Sequence, residues 1–215
     1  MSTPAASKPR GHRRGIAASW PMLLVAAAVI CAIVWLRRHE PSYTERVAPV
    51  HVPGVLGARI EARNFAVTVP EDGLYAAGAI GAPPASVFSQ ARMQLRTPGV
   101  WLSVPARIEA LREPGVVSAQ LRSRDGLIYQ SSGSDRPKLD ALNLDSRMLA
   151  AGLPEHGRWF FELPADRLEG LRLQVYWGAL TPQQNDALVD IDLHIDAERA
   201  RALRARAPAL LELRP

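Results

Sequence analysis

The chain has 215 residues, with 26 Lys and Arg, 21 Asp and Glu, a net charge of +5 and an isoelectric point of about 10.0. That balance would suit nucleic acid if it were spread over a fold, but six of the 26 bases lie in residues 1–38, which hold no acid, and the remaining 20 face 21 acids. The basic excess therefore reads as a membrane-topology signal, no nucleic-acid partner is expected, and the lone Cys31 excludes a disulfide framework or a paired-cysteine site.

Residues 15–36 carry no charge. A helix rising about 1.5 Å per residue needs roughly 20 apolar residues to cross a hydrocarbon core about 30 Å thick, so this stretch predicts one transmembrane helix. Trp20 and Trp35 bracket it as interfacial aromatics, and Arg13, Arg14, Arg37 and Arg38 flank it at headgroup level. Lys8, Arg10, Arg13 and Arg14 outnumber Arg37, Arg38 and Arg46, which places residues 1–14 as a cytoplasmic tail and the rest of the chain outside. A cleaved secretory signal is the alternative, since Ala26, Ala27 and Ala28 are small; Val29 to Leu36 prolong the apolar run past the usual cleavage distance and favour an uncleaved anchor. Ile30 before Cys31 disfavours a lipidated cysteine, leaving a buried thiol as the simpler reading.

Residues 37–57 contain Pro41, Pro49, Pro53 and Gly54 and read as a semi-extended stalk. Period-two alternation predicts strands at 58–62 and 66–69, whereas the Gly-, Ala- and Pro-rich stretch 74–85 reads as a loop or a short irregular strand. The clearest strand runs from Val100 to Ala110, with Val100, Leu102, Val104, Ala106 and Ile108 on one face; Pro105 on the other requires a bulge or a sheet edge. Arg124-Asp125-Gly126 between 116–122 and 127–129 is a hairpin signal, because Asp and Gly tolerate positive φ. Residues 131–137 are turn-rich, and 140–152 form a leucine-containing connection with a candidate helical turn. Further strands are expected at 158–163, 171–177 and 189–195, and Asp196 can cap a helix from Ala197 to about Ala207 that displays Arg199, Arg201, Arg204 and Arg206. Seven to nine short strands without long amphipathic helices predict an all-β antiparallel sandwich over 58–196, followed by a C-terminal helix and tail at 197–215.

Thr97-Pro98-Gly99-Val100-Trp101, Arg124-Asp125-Gly126-Leu127-Ile128-Tyr129 and Phe160-Phe161-Glu162-Leu163-Pro164 occur in this order. Their succession resembles a bacterial domain-of-unknown-function family with an immunoglobulin-like β-sandwich, whose members are displayed outside the cell on a membrane anchor or a lipoprotein signal. The resemblance spans about 56–195 and implies a fold; it carries no catalytic residue to transfer.

Candidate chemistry is sparse. Asp186, Asp190, Asp192 and Asp196 raise a calcium site, but the loop geometry and glycine of a recognised calcium motif are missing, and a solvated strand face is the simpler reading. His51, His156 and His194 sit in no catalytic motif, so no catalytic, metal or cofactor residue is assigned and an enzyme is not expected. Trp159 and Phe161 should face one side of a strand and Phe160 the other, so one layer cannot bury all three. Trp101 and Trp177 are then the candidate exposed partner-binding anchors, with cover by a loop or by the C-terminal helix as the alternative. The expected function is a non-enzymatic binding or assembly module of the cell envelope that engages the lipid bilayer and a membrane or envelope protein. The alternatives are an accessory subunit of a membrane complex, packing through the Ala26–Ala28 patch, and an envelope hydrolase.

Overall fold

The computed structural model describes residues 20–39, 48–82, 93–131, 143–145, 147–179 and 181–212. The chain divides into two compact units, Met1–Arg46 and Val47–Pro215. Arg13, Arg14 and the 1–14 tail lie outside the described residues, as do 132–142 with most of the expected turn-rich segment.

In the first unit, α1 spans Trp20–His39 without a buried residue. With a mean hydropathy of 2.0 it is long and apolar enough to cross a membrane. It runs past Leu36, and Arg37, Arg38 and His39 fill its last turn, where cations complement the helix dipole. His39 Nδ1 donates to the Trp35 carbonyl at 2.8 Å and its ring stacks on the Trp35 indole at 4.5 Å, closing the C-terminal end.

The second unit is a two-sheet β-sandwich. Its strands are β1 (Val50–Gly54), β2 (Arg59–Glu61), β3 (Phe65–Thr68), β4 (Tyr75–Ala82), β5 (Met93–Ala110), β6 (Gly115–Arg122), β7 (Ile128–Gln130), β8 (Met148–Leu149), β9 (Pro154–Leu163), β10 (Arg172–Trp177), β11 (Ala187–Asp192) and β12 (Leu211–Glu212). One sheet runs β1-β11-β10-β6-β7, with β8 also on β6; the other runs β12-β4-β5-β3-β2, with β9 on the far edge of β5. The order β11-β10-β6 in one sheet, facing β5 and β9 in the other, is that of an immunoglobulin-like sandwich. All pairs are antiparallel except β1 with β11 and β12 with β4. The short helix α2 (Ala197–Arg206) follows β11 and is capped as its sequence predicts, with Asp196 Oδ1 accepting from the Arg199 amide at 2.7 Å.

β5 is the hinge of the second sheet. Its inner face (Leu102, Val104, Ala106, Ile108) opposes Phe161 and Trp159 of β9 and Val67 of β3, and packs on Ala119, Leu121, Leu173, Val175, Val189 and Ile191 of the other sheet. Pro105 stays in register with Arg158 on its β9 side. On its other side it falls in the gap between Arg107, opposite the end of β3, and Ser103, opposite the start of β4, where no ladder amide is required. The Arg124-Asp125-Gly126 turn forms as expected, but only Gly126 takes positive φ (86°). The Gly126 amide bonds to Ser123 O and the Ser123 amide to Leu127 O, a type I turn closed by a glycine bulge.

Four expectations change or are refined. Val50–Gly54, read as stalk, is strand β1, because parallel pairing with β11 is a long-range contact and an edge strand tolerates Pro53. Gly54 permits the close approach: an added Cβ would lie 2.6 Å from Ile191 Cγ1. The segment from 74, read as a loop or a short irregular strand, contains β4, eight residues long with a register shift between Ala77 and Ala79. Within the described part of 140–152, Met148 and Leu149 form β8 and the Arg147 amide bonds to Leu144 O in a single turn, with Leu144 and Leu149 buried. Trp159, Phe160 and Phe161 are all buried, because β4 and β5 shift register between Ala77 and Ala79 and their far ends place Ile80 and Leu95 over Trp101 and Phe160 as a second small core.

Gly115 opens β6 directly against the Trp177 indole, where an added Cβ would sit 2.1 Å from Cζ2. Overpacking of this kind costs about 1–3 kcal/mol. Gly115→Ala should therefore lower the midpoint of thermal unfolding, followed by the fluorescence of the buried tryptophans.

Candidate functional site

Neither candidate anchor is exposed. Trp101 is 2% accessible and donates from Nε1 to the Leu95 carbonyl at 3.1 Å; Trp177 is 8% accessible and lies on Gly115. Both are core residues of the sandwich, and the expectation that they bind a partner through an open surface is corrected. The cover on Trp101 comes from the β4–β5 arm, which alternation along β5 alone does not reveal. Trp20 and Trp35, by contrast, are 72% and 63% exposed on α1, with Arg37 and Arg38 beside Trp35.

The acidic stretch near the C-terminus is built into the fold. Asp190 is 8% accessible, so it is not on a solvated face; Arg172 Nε donates to its Oδ1 at 2.6 Å and Arg172 Nη1 to Asp192 Oδ2 at 3.4 Å. Asp192 Oδ1 accepts from the His194 amide, Asp186 Oδ1 from the Ala187 amide, and Asp196 caps α2. A cation here would have to displace Arg172.

Asp190 also terminates a polar row across the outer face of the first sheet. Gln130 Nε2 donates to Gln120 Oε1 at 3.2 Å, Gln120 Nε2 to Gln174 Oε1 at 2.8 Å and Gln174 Nε2 to Asp190 Oδ2 at 3.3 Å, crossing β7, β6, β10 and β11. Tyr176 donates its hydroxyl to Gln130 Oε1 at 3.4 Å, and burial pushes its phenol up to about 12. His51 of β1 brings Nδ1 within 3.8 Å of Asp190. Side-chain amides at consecutive register positions satisfy one another, so the row fixes strand register on a face with few apolar residues.

A concavity among the described residues lies at the end of the sandwich where β6 turns into β7 and β9 into β10. Ser123, Arg124, Asp125, Asp166, Arg167 and Glu169 line a cleft of about 300 Å³. Ser123 Oγ donates to Asp125 Oδ1 at 2.6 Å, Arg167 pairs with Asp125, and Arg124 Nη2 pairs with Glu169 Oε1 at 2.9 Å. The Ser123 bond, ahead of Arg167, holds the Asp125 carboxyl below the usual carboxylate value. Gly170, at φ 69°, bonds its amide to Ile195 O and leaves room for the Arg124 side chain. The turn that brings Asp125 here was legible in the sequence; its meeting with Arg167, 42 residues on, was not. The walls offer charged and hydroxyl groups to a small polar ligand. Among the described residues no histidine bonds a serine, threonine or cysteine side chain, and His156, read as a turn residue, sits exposed in β9 opposite Arg107.

No family model matches the chain, and no curated protein matches it. Solved structures with a similar backbone include an uncharacterized β-sandwich protein from Clostridium difficile (11% identity, TM-score 0.41, 70% of this chain and 99% of that one). They also include the secreted protein MPT63 from Mycobacterium tuberculosis (12% identity, TM-score 0.44, 66% and 98%) and the yjhA protein from Bacillus subtilis (14%, 0.42, 64% and 98%).

A carboxylate whose pKa is lowered on folding contributes stability above its unfolded value and loses it as pH falls through the folded value. For Asp125 that loss lies below about 3.8. Asp125→Asn should thus be less stable than the parent chain near neutral pH, and the two thermal midpoints should converge as the buffer is taken well below pH 3.8.

Proposed function

We propose that this chain is a single-pass membrane protein that holds its immunoglobulin-like sandwich outside the cytoplasm and acts as a non-enzymatic binding or assembly module of the cell envelope, with the lipid bilayer and a membrane or envelope protein as partners. The observation that carries the reading is α1: twenty apolar-rich residues without one buried side chain, closed by Arg37, Arg38 and His39. An exposed apolar helix of that length is stable when lipid takes the place of protein around it. The larger count of Lys and Arg before the helix favours retention of the N-terminus in the cytoplasm. A binding role is favoured over catalysis because two of the cleft's three carboxylates, Asp125 and Glu169, are engaged by arginine, and among the described residues no histidine bonds a serine, threonine or cysteine side chain.

Single-cysteine variants in a Cys31→Ser background, expressed in a bacterial host, test the topology. A membrane-impermeant maleimide should label Asp166→Cys on intact cells and leave Ser2→Cys unlabelled until lysis, while the chain stays in the pellet after alkaline extraction. Labelling in the reverse order would overturn the orientation. Recovery of a chain shortened past residue 28 in the alkaline supernatant would establish a cleaved signal.

A further inference from the structure

The strand register gives the sandwich two unlike ends. Val50 opens β1 opposite Ala187, the first residue of β11, and at this same end lie the β2–β3 turn (62–64), the β5–β6 turn (111–114) and the β8–β9 loop (150–153). Asn64 Nδ2 donates to Asp186 Oδ2 at 3.2 Å, joining the two sheets there. The cleft around Asp125 is at the other end, where Arg172 opposes Asp192. The chain thus enters the sandwich at the first end, and only residues 40–49 separate His39 from Val50. Ten residues reach at most about 36 Å when fully extended.

The entry end carries an uncharged projection. Met148 to Pro154 (Met-Leu-Ala-Ala-Gly-Leu-Pro) holds no charge; Met148 and Leu153 are 69% and 61% exposed, and Ala150, Ala151, Gly152 and Pro154 are exposed as well. The projection is held in place: Leu149 is buried and pairs with Gly115, and the Gly152 amide bonds to Ala110 O at 2.7 Å. Arg63 and Arg112, on the neighbouring turns, are exposed and make no ion pair or side-chain hydrogen bond among the described residues. Glu113 shares the turn with Arg112, so the uncharged loop is the larger contributor and the arginines the smaller.

A rigid apolar projection flanked by uncommitted cations matches the chemistry of the bilayer interface. There, aliphatic side chains enter the headgroup–acyl boundary and arginines meet anionic headgroups. We propose that this end of the sandwich, through Leu153 and Met148 with Arg63 and Arg112, docks onto the surface of the bilayer that holds α1. The inference rests on the membrane-anchored reading and adds to it a defined lipid contact, which leaves the cleft end turned away from the membrane and open to a partner.

The test uses the full chain with Cys31→Ser in proteoliposomes. An environment-sensitive fluorophore is placed at Leu153→Cys, or at Asp166→Cys as the opposite-end control, in vesicles of phosphatidylcholine with or without phosphatidylglycerol. The expected result is a blue-shifted emission at 153 that is quenched by doxyl-labelled lipid, stronger with phosphatidylglycerol, and no such quenching at 166. Arg63→Glu with Arg112→Glu should reduce the quenching at 153 in anionic vesicles to its level in neutral ones. Equal, water-like emission at 153 and 166 in chains that resist alkaline extraction would overturn the lipid contact alone; chains released by alkali would overturn the anchor as well. A blue shift at 153 that persists in detergent and grows with protein concentration would assign the surface to a second copy of the chain and overturn the lipid assignment.

Discussion

The sandwich depends on burying both faces of a sheet built around one strand. β5 pairs with β9 along one edge and with β3 and β4 along the other, and its inner side chains meet the facing sheet. No disulfide braces the two sheets, since the only cysteine is Cys31 in α1, so the hydrophobic contact across the sandwich must supply the stability that a cystine supplies in other immunoglobulin-like domains. The outer face of β5 is apolar at Trp101 and would meet water if the strand stayed flat. The register shift between Ala77 and Ala79 turns the β4–β5 arm so that Ile80 and Leu95 cover Trp101 and Phe160. Pro105 can remain in the middle of this strand only because β3 and β4 leave a gap on its amide side.

Much of this was legible in local pattern. The alternation from Val100 to Ala110, the Asp-Gly turn, the strands β3, β6, β9, β10 and β11, and the Asp196 cap each follow from chemistry within a few residues. What the sequence hid is long-range. β1 looked like stalk because its hydrogen bonds go to β11, well over a hundred residues away, and Pro53 and Gly54 are poor strand formers in isolation. Trp101 and Trp177 looked exposed because alternation counts one packing layer; the arm over Trp101 and the Gly115 notch under Trp177 are tertiary features. Asp190 and Asp192 alternate as solvent-facing residues should, yet Asp190 is buried because a row of glutamines and Arg172 make the outer face of the first sheet a polar layer with satisfied hydrogen bonds.

Charge is partitioned along the chain with functional consequence. The N-terminal segment and the end of α1 hold the cationic excess, while the sandwich is close to neutral and many of its charged groups are tied in short-range pairs: Arg124 with Glu169, Arg167 with Asp125, Arg172 with Asp190 and Arg147 with Glu155. The exposed pairs among these, Arg124 with Glu169 and Arg167 with Asp125, contribute little to stability but orient the loops that carry them, whereas Arg172 satisfies the buried Asp190 between two strands. The cleft end carries two of these pairs, and the entry end the uncharged loop 148–154, flanked by the Arg147–Glu155 pair, beside Arg63, Arg112 and Glu113. On the proposed membrane-anchored reading, one end would meet the lipid surface and the other a partner.

Native-state hydrogen exchange tests the central role of β5 most directly. Amides of Leu102 to Val104, Ala106 to Ile108, Phe160 and Phe161 should exchange only through global unfolding. Those of the short parallel edge strands β1 and β12 should exchange through local openings of much lower free energy. Local exchange within β5, or protection in β1 equal to that of β5, would contradict a fold organised around that strand.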